Sequence, residues 1–145
     1  MSEVNSNLLE SDDEILDALR ETRSIAVLGI KPESRSGKPA HYVPAHMKQA
    51  GYEIIPVPVY YPEVTEILGE RVFRSVVEIG RPVDMVNVFR KTHDIPPHVD
   101  DIIAAAPRYV WFQSGIRNEA AARKMAEAGI RVIQDRCLMV EQGRL

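Results

Sequence analysis

Between Gly29 and Lys38 the chain gathers the groups that hold phosphate. Ser24-Ile25-Ala26-Val27-Leu28 runs straight into Gly29, and the loop Ile30 to Lys38 then carries Lys31, Arg35, Ser36, Gly37 and Lys38. A strand that ends in glycine and feeds a loop and a helix brings backbone amides and a helix N-terminus to an anion. Arginine adds forked donors to phosphate oxygens, and lysine adds a point charge. An exposed, solvated loop would show the same residues, so position in the fold has to separate the two readings. Two nucleotide motifs fail here. Gly37-Lys38 resembles the tail of a Walker A loop, but the first glycine of that motif falls on Pro32 and its Mg²⁺-binding hydroxyl on Pro39. The dinucleotide pattern G-x-G-x-x-G meets Gly29-Ile30-Lys31-Pro32-Glu33-Ser34, with one glycine. The acid that would take a ribose hydroxyl is missing from Pro56-Val57-Pro58-Val59-Tyr60. A nicotinamide-nucleotide-binding regulatory or redox-sensing module is therefore only an alternative.

Other reactive side chains are sparse. His41/His46 and His93/His98 are spaced five apart, which does not put two rings on one helix face, so no metal site is expected. Cys137, the single cysteine, reads as a buried thiol; with Arg136 beside it, a thiol or thioester enzyme using Cys137 is a second alternative. Asp100-Asp101 reads as a solvated helix edge, and Trp111 and Phe112 as core. Tyr60-Tyr61 serve equally as packing or as a stacking surface for adenine. No Ser-His-Asp arrangement or G-x-S-x-G elbow is legible.

The elements that must position these residues follow from pattern. Ser11-Asp12-Asp13-Glu14 is a capping box that opens a short helix through Ile15, Leu16 and Leu19. Strands are expected at Ser24–Gly29, Tyr52–Val57, Arg71–Phe73, Val83–Phe89, Arg108–Phe112 and Arg131–Ile133. Helices are expected at about Ala40–Ala50, stopped by Gly51, at Asp94–Ala105, and from the Asn118 cap to Ala128, closed by Gly129. Tyr60–Gly69 and Ser75–Ile79 are expected to hold turns. Alternation of strand and helix predicts an α/β, three-layer, Rossmann-like doubly wound parallel sheet with strand order 3-2-1-4-5-6. Ligands bind such sheets outside the carboxyl ends of the strands, where the order reverses. That puts the Gly29 loop, the segment after the fourth strand and Gln113–Arg117 at one crevice, with Pro58, Val59 and Tyr60 as its side wall.

The 145 residues are expected to form a flexible segment over 1–10 and a single domain over 11–145. Hydrophobic residues make up 45% and charged residues 27%, which excludes wholesale disorder. The net charge of −3 argues against nucleic acid as a partner held by bulk charge. No apolar run approaches the length of a transmembrane helix, and the first ten residues lack the pattern of a signal peptide, so a cytoplasmic protein with no membrane partner is expected. A homodimer is left open.

The chain resembles the stand-alone CoA-binding domain proteins, which are similar in turn to the CoA-binding domain of the succinyl-CoA synthetase alpha subunit. The resemblance runs from Ile25 to Cys137. It is carried by Ala26-Val27-Leu28-Gly29, Gly51-Tyr52-Glu53-Ile54-Ile55-Pro56-Val57, Ile67-Leu68-Gly69-Glu70, Val83-Asp84-Met85-Val86-Asn87-Val88-Phe89-Arg90, Val110-Trp111-Phe112-Gln113-Ser114-Gly115 and Asp135-Arg136-Cys137, in that order and spacing. It implies coenzyme A across the carboxyl end of the sheet, bound as a small-molecule nucleotide ligand, free or acylated, by a chain with no catalytic site of its own. Carried over by position, Gly29, Ile30 and Lys31 would approach the pyrophosphate through backbone amides, supplemented by Arg35, Ser36 and Lys38. Val88, Phe89 and Arg90 would border the nucleotide, and Gln113 and Gly115 the pantetheine arm. The chain departs from the family pattern in two places. A frequent Ser-Tyr after the loop is Ala40-His41, and a frequent Asn-Pro-basic-Tyr is Pro58-Val59-Tyr60-Tyr61, which lacks the basic candidate for the CoA 3′-phosphate.

Overall fold

Fully buried apolar strands need cover on both faces, and the chain supplies it with helices in the connections. A computed structural model describes residues 3–145. In chain order the elements are α1 (Glu3–Ser6), β1 (Leu8–Leu9), α2 (Asp12–Glu21), β2 (Ser24–Leu28), α3 (Pro39–Gln49), β3 (Glu53–Val57), β4 (Glu66–Ile67), β5 (Glu70–Arg71), β6 (Met85–Val88), α4 (Pro96–Ala105), β7 (Tyr109–Phe112), α5 (Glu119–Glu127), β8 (Arg131–Ile133) and α6 (Leu138–Gln142). Six strands form one parallel sheet in the order β1-β8-β7-β6-β2-β3. The fold is the expected three-layer Rossmann-like α/β arrangement.

Alternation along each strand divides the core in two. Ala26, Leu28, Val86, Val88, Val110 and Phe112 face Val99 and Ile102 of α4 and Ala122 and Met125 of α5. Ile25, Val27, Met85, Tyr109 and Trp111 face Ile15 and Leu19 of α2, Val43 and Met47 of α3, and Leu138 of α6. The amino ends of β2 and β6 are locked by reciprocal bonds. The Asp84 carboxylate accepts from the amides of Arg23 (2.9 Å) and Ser24 (3.1 Å), and Ser24 Oγ accepts from the Asp84 amide (3.0 Å). Ser11 caps α2 as read, with Glu14 N donating to Ser11 Oγ, while the Glu14 carboxylate accepts from the Ser11 hydroxyl rather than from its amide; Asn118 Oδ1 accepts from Ala121 N.

Two expectations are corrected. The segment expected to be flexible through residue 10 is built into the fold from residue 3: α1 is followed by β1, which pairs in parallel with β8, Leu8 against Val132 and Leu9 against Ile133. The Asn7 carbonyl accepts from Val132 N at 2.8 Å, and Asn7 Nδ2 donates to the Ala126 carbonyl, so tertiary partners order a stretch with little local signal. Met1 and Ser2 lie outside the described residues. The third expected strand, Arg71–Phe73, gives way to the two-residue strand β5, which pairs antiparallel with β4. It reaches the main sheet through one bond, from Phe73 N to the Pro56 carbonyl (2.9 Å). Proline offers that edge an acceptor and no N–H, so the ladder cannot extend. No helix among the described residues is long and apolar enough to cross a membrane.

Candidate functional site

The chain leaves β2 toward β3 on one side and returns to β6 on the other, so the order reverses between β2 and β6. Gly29 closes β2 and Phe89 follows β6. Gly29 N donates to the Val57 carbonyl (2.9 Å), and Phe89 N to the Leu28 carbonyl (2.8 Å). Gly29 has φ +90°, and a Cβ there would stand 2.4 Å from the Phe89 carbonyl oxygen. Only glycine allows the two strand ends to come this close.

The loop after Gly29 is held from behind by α3. Pro44 lies inside that helix and has no N–H to give to the Ala40 carbonyl, which accepts instead from Lys31 N (3.1 Å). His41, 6% exposed, donates from Nδ1 to the Lys31 carbonyl (2.9 Å). The amides of Gly29 and Lys31, expected to face a pyrophosphate, are therefore already bonded within the protein, and Lys31 can offer a ligand only its side chain. His41, a residue at the departure from the family pattern, serves this internal lock.

Two cavities adjoin over the strand ends. The smaller, 290 Å³, is lined by Gly29, Ile30, Lys31, Val59, Tyr60, Tyr61, Phe89, Arg90, Lys91 and Asp94. The larger, 550 Å³, shares Lys31, Phe89, Arg90 and Lys91 with it and extends past Lys38, Tyr42 and Val43 to Gln113, Ile116, Cys137, Met139 and Val140. Of the residues expected at a site, nine meet along this groove: Gly29, Ile30, Lys31, Lys38, Val59, Tyr60, Phe89, Arg90 and Gln113. Five line neither cavity. Arg35 and Ser36 belong to an exposed 3₁₀ turn, Pro58 is buried, Val88 is fully buried in the α4–α5 core, and the Gly115 amide donates to Asp135 Oδ1 (2.7 Å).

The groove is cationic at one end. Lys31, Lys38, Arg90 and Lys91 border it against the carboxylate of Asp94. Among the described residues Lys31, Lys38 and Lys91 make no ion pair, and Arg90 reaches Asp94 only at 3.9 Å. The Arg90 side chain is 14% exposed, lies over the Tyr60 ring at 5.4 Å, and has a buried Nε with no partner. An orphaned buried donor is costly, and the remaining guanidinium donors at the groove wall suit an anion. The Tyr60 wall is stiffened from outside: the Arg74 guanidinium donates to the carbonyls of Tyr60 (3.4 Å), Tyr61 (3.2 Å), Pro62 (3.2 Å) and Val64 (2.5 Å). Behind the site, burial first and the Arg90 charge second hold His98 below its ordinary pKa of 6.5, with Asp101 and Asp94 pulling the other way.

The other end is apolar, and sequence reasoning missed most of it. Gln113 is 5% exposed, and its Oε1 accepts from Asn87 Nδ2 (3.3 Å) and from Leu138 N (3.0 Å). Trp111 Nε1 donates to the Arg136 carbonyl (2.7 Å). These long-range bonds draw residues 136–138 over the end of β7. Cys137, read from the sequence as a buried thiol, is thereby placed in the wall of the larger cavity, half-buried and free. Met139 and Val140 of α6 join it there, opposite Tyr42 and Val43 of α3. The cationic end, an exposed tyrosine and an apolar extension together fit a ligand such as coenzyme A, which carries phosphates, a base and a pantetheine arm.

A family model for the CoA binding domain matches residues 23–143. Uncharacterized protein YneT of Bacillus subtilis (strain 168) is 37% identical over 130 residues, 90% of this chain and 93% of that protein. Among solved structures, cell-free ID.343 of Thermus thermophilus is 38% identical with a TM-score of 0.84, covering 93% of this chain and 98% of that one. A hypothetical protein of Pyrococcus horikoshii OT3 is 30% identical with a TM-score of 0.83, covering 94% and 92%. The match extends through the Gly29 loop, both strand ends that floor the groove and the α6 segment that closes it: the chain belongs to the CoA-binding domain family.

Proposed function

We propose that this protein binds coenzyme A, or an acyl-CoA, in the groove over β2 and β6, as a binding module without a catalytic site of its own. The observation that carries the reading is Arg90: a side chain 14% exposed, its guanidinium over the Tyr60 ring and its Nε unpartnered, in a groove that Lys31, Lys38 and Lys91 also line. Lys31, Lys38, Arg90 and Lys91 would hold the phosphates, Tyr60 would offer its face to adenine, and the channel past Gln113 would take the pantetheine arm. Coenzyme A supplies a thiol that carries acyl groups as thioesters. The cavity wall offers no histidine or carboxylate as a base beside Cys137, which supports binding over catalysis. Cys137 in that wall nonetheless favours a second reading, a thioester-handling enzyme that uses this thiol.

Thermal unfolding with CoA, NAD and ATP at equal concentration tests the proposal. A ligand that binds only the native state stabilises it by RT ln(1 + [L]/Kd), about 2.7 kcal/mol at a hundredfold excess over Kd. CoA should raise Tm most. Equal shifts, or none, for all three would overturn it.

A further inference from the structure

Resting on the proposed CoA site, we infer that the far wall of the larger cavity, formed by Ile116, Cys137, Met139 and Val140, is an acyl site, and that the preferred ligand is a CoA thioester of an uncharged, apolar, short-to-medium acyl chain rather than free CoA. Polarity changes along the groove. All four cations line the larger cavity, but they enter it from the Gly29 loop, the α3 N-cap and the segment after β6, whereas the far wall of Ile116, Cys137, Met139 and Val140 carries no charge. A free thiol would gain little from that wall. Exposure points the same way. Only five large hydrophobic side chains are exposed among the described residues, and three of them, Tyr42, Tyr60 and Val140, ring this groove. Val140 is 57% exposed and Tyr42 is 42% exposed, facing the same 550 Å³ space from α6 and α3. Apolar surface gathered at a cavity mouth is where a ligand removes it from water. Tyr60 is accounted for by the nucleotide; Tyr42 and Val140 are left for the acyl chain. An acyl group ending in a carboxylate would bring a charge against that wall and lose the gain.

Isothermal titration with CoA and with acetyl-, butyryl-, hexanoyl- and succinyl-CoA reads the inference directly. Each methylene buried is worth up to about fourfold in affinity, the equivalent of about 0.8 kcal/mol. With the cavity partly open, hexanoyl-CoA should bind at least about tenfold tighter than CoA, and succinyl-CoA should not share the gain. Val140→Glu should flatten the chain-length slope, a readout that a uniform loss of nucleotide affinity does not move because every member of the series carries the same nucleotide. If CoA binds and chain length has no effect, the acyl site is overturned and the CoA reading stands. If no member of the series binds, the CoA reading itself fails and this inference falls with it. Sedimentation of wild type and Val140→Glu covers the other occupant. A dimer that the substitution dissociates, with the slope kept, would assign the patch to a second copy of the chain and overturn the acyl site.

Discussion

Gly29→Ala should be among the most damaging single-methyl additions in this protein. Two costs add. At φ +90° an L-residue is strained by about 1–3 kcal/mol. The new Cβ would stand 2.4 Å from the Phe89 carbonyl oxygen and 3.1 Å from its carbon, so the end of β6 must withdraw by about 1 Å to reach ordinary contact. Phe89 cannot swing freely, because its amide is bonded to the Leu28 carbonyl at 2.8 Å. Forcing apart a packed interior costs about 1–3 kcal/mol more. The sum, about 2–6 kcal/mol, is a large share of the 5–15 kcal/mol typical of a domain. In urea, with m of about 2 kcal/mol/M, the midpoint should fall by about 1–3 M. Gly37→Ala is the control in the same loop. It has no positive φ and nothing within 4 Å of a built Cβ, so it should be neutral or stabilising by about 0.4–1 kcal/mol. A Gly29→Ala midpoint within about 0.3 M of wild type would refute the argument, as would equal damage from both substitutions.

Three further outcomes follow from the groove. Arg90→Met keeps the stem over Tyr60 and removes the charge; losing charge-assisted bonds worth about 1.5–3 kcal/mol should weaken CoA binding about 10- to 150-fold and reduce its salt dependence, and unchanged affinity at two ionic strengths would take the phosphates away from Arg90. Cys137 lines the larger cavity, so saturating CoA should slow its alkylation, followed by intact mass; equal rates with and without CoA would separate ligand from cavity. His98 has its pKa lowered, chiefly by burial and then by Arg90, so its contribution to stability is fully present above pH 6.5 and is lost as pH falls through its folded value. His98→Gln should flatten the acid-side decline in Tm, and CoA phosphates at Arg90 should raise the His98 midpoint in an NMR titration; a midpoint that ignores CoA would count against phosphates at that guanidinium.

The two halves of the groove differed in legibility for a physical reason. β2, β6 and β7 were readable because strands buried on both faces must be apolar throughout, and the Ser11 and Asn118 caps because a cap is chemistry within four residues. The cationic half shared that locality: Gly29, Lys31 and Lys38 lie in one loop whose place follows from the strand before it. The apolar half has no such contiguity. Tyr42 and Val43 come from α3, Ile116 from the loop after β7, and Cys137, Met139 and Val140 from a segment whose five-residue helix is too short to show a period. Gln113 and Trp111 position that segment through bonds spanning about twenty-five residues of chain, and no local pattern encodes such a bond. Cys137 enters the cavity wall for the same reason, since these two bonds hold its segment over β7. On the proposed reading, the local half of the groove is the half that holds phosphate, which every CoA thioester carries alike. The assembled half is the one that would tell one thioester from another, so on the proposed reading ligand choice depends on how α3, β7 and α6 meet rather than on any motif.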